Sequence, residues 1–211
     1  MILTVLTFNS PRDTPSIGAF EELSLKRYGD MLTHDFVQYA PGAWYTAVKP
    51  YHSGIFPFMA LDLMIMYRGC SSNLFFGHDL LPYSSYGKSE IHMDETMQSQ
   101  INQIISTSSK TESRLEFKGY GNRIDIGLNA LSTLYMDILS SLTKVECGVL
   151  THIRELQFER YKDPTETKTF GLQKVVAERL DKSPVAVHKS LRSAKYTLLA
   201  ETANAMKSMM V

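Results

Sequence analysis

The sequence predicts an α+β fold class. A mixed sheet with helices is expected over residues 1–121, a connecting helix over 122–142, and a C-terminal all-α helix-turn-helix domain over 143–211. Three observations predict it. Met1–Phe8 alternates β-branched and apolar residues in the period-two pattern of a buried strand. From residue 122 the apolar period changes to three and four and stays there. Between Gly171 and Leu191, two helical segments are split by Asp181-Lys182-Ser183-Pro184.

Each element follows from local composition. After the turn-rich Asn9–Pro15, the segment Ile17–Tyr28 places Phe20, Leu23 and Leu25 as a helix over the first strand. Phe36–Lys49 is broken by Pro41-Gly42 and then reads as strand. Phe56–Tyr67, rich in Met, Leu and Ala, predicts a buried helix. Asn73–Gly77 reads as a short strand, Ile91–Ser106 as a half-exposed helix, and Arg114–Tyr120 as an edge strand. In the connecting helix, Ile124, Leu128, Leu131, Tyr135, Ile138, Leu139 and Leu142 form one stripe. Thr143 and Glu146 have the spacing of a capping box that opens the next helix. Pro164 and Gly171 break the chain after it.

Composition limits the function classes. With 44% hydrophobic and 21% charged residues, the chain has material for a core but no apolar run of about 18 residues to span a bilayer. Its first residues lack a basic leader, so a cytoplasmic location is expected. Cys70 and Cys147 match no disulfide or zinc spacing and are expected reduced and buried. Net charge is zero, but its distribution is not even. Residues 1–143 carry 10 Lys and Arg against 14 Asp and Glu, and residues 144–211 carry 12 against 8. Such asymmetry is expected where only one part meets a polyanion.

The helix-turn-helix carries the functional expectation. Leu172, Val176 and Leu180 would be buried on the first helix, with Ala177 at the close crossing. Asp181 stands where such turns commonly carry a left-handed glycine, a conformation that aspartate tolerates. Ser183 is a good N-cap and Pro184 suits the first helical position. On the second helix, Val187, Leu191, Ala194 and Leu198 share an apolar face, with His188, Lys189, Arg192 and Lys195 to the side. From Lys182 to Ala200 there are four Lys or Arg and no acid. Ser183, Val185, His188 and Lys189 are therefore placed to read base edges, and Lys182, Arg192 and Lys195 to hold phosphates. The same helix is expected to run on, with Leu198, Thr202, Ala205 and Met209 forming a dimer contact, packing on the first domain, or simply folding back on its own core.

No enzyme signature is found: GxGxxG, P-loop, GxSxG and HExxH patterns are absent, and no cofactor or metal site is expected. Gly119-Tyr120-Gly121 reads as a plain turn, Cys147 and His152 as too far apart around a helix to pair, and His78-Asp79 and His92–Glu95 as solvated loop residues. Phe75, Phe76, Tyr83 and Tyr86 fit a core and its rim, or a ligand pocket.

The order of these parts resembles the SatD-type family of bacterial and phage-associated proteins. Ile2–Ser10, Ala43–Met64, Asn73–Leu81, Gly121–Leu139 and Val175–Ala194 carry the resemblance. It implies a ferredoxin- or nucleotide-cyclase-like first domain, and the last segment looks like the DNA-reading end of bacterial sigma factors. Where that family often has an acidic turn, Lys49–Gly54 carries none of the acids that a metal-bound triphosphate needs, so no active site is carried over. The expectation is a dimeric transcription regulator that binds double-stranded DNA, with assembly or small-ligand sensing in its N-terminal part. The alternative is a phage or mobile-element factor that docks on polymerase or a host protein, its helix-turn-helix serving as scaffold.

Overall fold

The computed structural model describes the backbone of residues 2–8, 18–32, 37–40, 43–48, 50–67, 74–80 and 114–210, and six single positions between 95 and 106. Side chains are described at 22–32, 52–66, 115–210 and those six positions. Five strands are traced in the backbone: β1 (Ile2–Phe8), β2 (Val37–Ala40), β3 (Ala43–Val48), β4 (Leu74–Leu80) and β5 (Arg114–Lys118). They pair in the order β2-β3-β1-β4-β5. β1 runs antiparallel to β3 and β4, with Val5 opposite Tyr45 and Gly77, while β5 lies parallel to β4. The helices are α1 (Gly18–Tyr28), α2 (Phe56–Tyr67), α3 (Asn122–Ser141), α4 (Lys144–Tyr161), α5 (Leu172–Arg179), α6 (Pro184–Ser193) and α7 (Tyr196–Met210).

The expected fold class, an α+β chain with a ferredoxin- or nucleotide-cyclase-like mixed sheet and a separate all-α domain, is corrected by the described side chains. Of those residues 80% are helical, and β5 is the single strand among them. They form no mixed-sheet domain with a core of its own. One continuous apolar cluster instead runs from Tyr28 and Leu32 through α2, β5, α3 and α4 to Met206 and Met210.

The reason lies in α2. Ser53–Ile65 is buried without interruption, so this helix has no face for solvent. A helix that is apolar all round must be covered on all sides. α1, α3, α4 and α7 pack against it. Tyr135 on α3 donates its hydroxyl to Pro57 O at 2.9 Å, which fixes α3 across the start of α2. Phe56 and Phe117 meet edge to face at 5.6 Å, joining α2 to β5.

Thr143 and Glu146 form the capping box of α4: the Glu146 N–H donates to Thr143 Oγ1 at 3.3 Å, and the Thr143 N–H to Glu146 Oε2 at 2.7 Å. Glu95, Gln98, Ser99, Asn102, Gln103 and Ser106 are helical and exposed. The rest of the expected 91–106 helix, the Asn9–Pro15 turn, Cys70, Tyr83, Tyr86, His92 and Asp94 lie outside the described residues, as do the side chains of Phe75, Phe76, His78 and Asp79.

Candidate nucleic-acid interface

Local bonds build the turn between α5 and α6. Asp181 takes the left-handed conformation, φ 51°. Its N–H donates to Glu178 O at 3.4 Å and that of Lys182 to Ala177 O at 2.8 Å, the paired bonds of a Schellman ending. Ser183 Oγ then accepts from the Ala186 N–H at 3.1 Å, with Pro184 at the first helical position. An aspartate replaces the usual glycine here without loss of the turn.

On the inner side Val176, Ala177, Val187 and Leu191 are buried, and α4 packs against both helices. On the outer side Lys182, Ser183, Val185, His188, Lys189, Arg192 and Lys195 are all exposed, Val185 at 63%. Among the described residues no carboxylate pairs with Lys182, Lys189, Arg192 or Lys195. Arg179 differs: it lies 3.8 Å from Glu155 and 3.4 Å from Glu159.

The continuous helix expected beyond Ser193 is corrected. α6 ends there, Lys195 sits left-handed at φ 50°, and α7 starts afresh at Tyr196. Lys195 therefore occupies the corner between two helices and not the flank of one. The break also resets the helical phase. Tyr196, Leu199, Thr202, Ala203, Met206 and Met210 are the buried stripe of α7, while Leu198 and Ala205 are exposed. α7 folds back on the core: Ser53 Oγ donates to Met210 O at 2.9 Å. Between α6 and α7 lies a groove of about 450 Å³, lined by Gln173, His188, Arg192, Lys195, Tyr196 and Thr197, among others.

Sequence reasoning missed a buried polar network behind this surface. Asp62 on α2 accepts from Arg27 Nη1 at 2.7 Å, from Tyr28 Oη at 2.7 Å and from Arg154 Nε at 2.9 Å. Burial alone would raise the Asp62 pKa, but the charges of Arg154 and Arg27 outweigh it and hold the carboxyl below its usual value. Arg154 also donates to Pro164 O at 2.6 Å and Glu166 O at 3.0 Å, fixing the loop that leads to α5. Gln157 bonds Arg154 at 3.3 Å and Tyr196 Oη at 2.9 Å. A chain of polar contacts thus connects α1 and α2 with the first residue of α7. The available signal was the lone charge in FPFMALDLMIMY, since a carboxylate in a buried run needs a partner.

Other sequence candidates among the described residues meet partners within the chain. The N–H groups of Gly119 and Tyr120 donate to the Asp125 carboxylate at 3.1 and 3.0 Å, so the chain's own acid occupies that turn. Cys147 is buried, and His152 faces Glu155 at 3.2 Å. No group of three His, Cys, Asp or Glu that could hold a metal occurs among the described residues. Likewise, no described helix is long and apolar enough to cross a membrane. In comparisons with protein families, curated proteins and solved structures, nothing matches the chain.

Proposed function

We propose that this protein is a cytoplasmic, dimeric transcription regulator that binds double-stranded DNA through α5 and α6. The observation that carries the reading is the set of four exposed cations, Lys182, Lys189, Arg192 and Lys195, none paired with a described carboxylate, around a helix whose opposite side is buried. Unpaired cations grouped on one face attract a polyanion, and each phosphate they neutralise releases a counterion. Ser183, Val185, His188 and Lys189, at the start and on the outer side of α6, would meet base edges, with Val185 against a thymine methyl. Arg192, Lys195 and Lys182 would hold phosphates. The likeness of Val175–Ala194 to the DNA-reading end of bacterial sigma factors supports the same reading.

The test is a gel shift on duplexes selected from a random pool, comparing wild type with the Lys189→Ala/Arg192→Ala double variant. Loss of the shift with an unchanged circular dichroism spectrum is the expected result. Equal affinity of the two proteins rejects the assignment, and a protein captured independently of salt, with no shift of any duplex, would instead favour a docking module.

A further inference from the structure

We propose that the cavity between α1, α2 and α4 binds a small apolar α-amino acid. This inference stands apart from the nucleic-acid reading. The cavity measures about 260 Å³, below the ~300–1,000 Å³ typical of sites for drug-sized ligands. It is open to solvent on one side, and its floor carries the buried cluster of Arg27, Arg154 and Asp62.

That cluster has two guanidinium groups and one carboxylate, and the cavity lining adds Lys26, Glu22 and Glu155, so its cations and carboxylates balance, as the charges of a zwitterion do. Arg154 is compensated by the carbonyls of Pro164 and Glu166. Arg27 is not. Its one described bond is Nη1 to Asp62, and its side chain is only 4% exposed. The Oγ of Ser24 is the one sealed side-chain polar atom without a partner among the described residues, so the remaining Arg27 donors are not sealed in protein. Arg27 is one of the residues that line the cavity. A planar fork of donors at low solvent exposure fits a carboxylate.

The remaining walls define the rest of the ligand. Leu23, Ile65 and Met66 offer an apolar surface, and Lys26 adds a cation. Of the two carboxylates at the cavity, Glu155 already meets His152 and Arg179, while Glu22 has no such pairing among the described residues. A ligand with a carboxylate for Arg27, an ammonium group for Glu22, and an aliphatic tail for Met66 satisfies all three.

The experiment is calorimetry on the full chain without nucleic acid, using leucine, valine, isoleucine and methionine, with 4-methylpentanoate and isopentylamine as analogues of leucine lacking one charged group. Saturable one-site binding of at least one amino acid is expected, with no saturable heat from isopentylamine and weaker binding of 4-methylpentanoate than of leucine. Arg27→Gln should weaken binding about tenfold or more. Met66→Trp, which fills the cavity from its rim and leaves the Asp62 cluster intact, should abolish it while the folded spectrum persists. Absence of saturable heat from all four amino acids overturns the proposal, as does wild-type affinity in Met66→Trp.

Discussion

Asp62 Oδ1 accepts a 2.9 Å hydrogen bond from Arg154 Nε across 92 positions of sequence, where neither side chain is more than 2% exposed. Together the two residues tie α2 to α4, and through Pro164 and Glu166 they tie both to the loop before α5.

Breaking that pair should be costly. Asp62→Asn leaves Arg154 and Arg27 buried without a counter-charge, which destabilises by about 3–5 kcal/mol. The sign with pH follows from the lowered carboxyl pKa. The stabilisation is present above the unfolded value of ~3.9 and is lost as pH falls through the lower folded value. Urea unfolding of both proteins should show the gap narrowing below about pH 4. A gap independent of pH would show that Asp62 is not ionised in the folded state.

DNA affinity should fall steeply with salt, because phosphate contacts dominate it. Arg192→Ala should reduce the slope of log affinity against log salt by ~1 and weaken all sequences alike. Lys189→Ala should also relax the preference among selected duplexes. Titrations by fluorescence anisotropy at several salt concentrations separate the two effects, and identical behaviour of the two variants would count against the assigned roles.

Asp181→Gly should stabilise the protein. The residue is exposed and left-handed at φ 51°, a conformation that costs an ordinary residue roughly 1–2 kcal/mol and glycine little. Differential scanning calorimetry should show a higher Tm, since any gain is offset only in part by glycine's greater freedom when unfolded.

Two glycines should respond oppositely to alanine. A Cβ on Gly54 would lie 2.6 Å from Lys207 Cγ, with Lys207 Cβ and Cα close behind at 3.4 and 3.6 Å, so α7 itself would have to move. The expected cost is about 1–3 kcal/mol. A Cβ on Gly127 would meet the terminal methyl of Met209 at 2.6 Å, the far end of a flexible side chain. Because alanine is favoured over glycine inside a helix by roughly 0.5–1 kcal/mol, Gly127→Ala should be neutral or stabilising. Chemical denaturation of both variants checks the contrast.

Features closed by bonds across a few residues were legible in the chain itself. The Thr143–Glu146 box, the Ser183 cap with Pro184, and the left-handed Asp181 each depend on neighbours within about five positions, so residue type and spacing suffice. The amphipathic side of α6 was legible for the same reason. The end of α6 was not, because nothing in SLRSAKYTLL marks a break, and one left-handed residue at Lys195 shifted the buried stripe of α7 from Leu198 and Ala205 to Leu199 and Ala203.

The sequence by itself determined the caps, the turn and the exposed cations of the C-terminal module, since each is set by short-range sterics and hydrogen bonding. Only the tertiary structure decided that Asp62 meets Arg27 and Arg154, that α7 returns to the core, and that the described side chains form one helical core in place of a separate sheet domain. The physical reason is that separation along a chain carries no distance: a buried charge announces its need for a partner, but the packing of helices chooses which one.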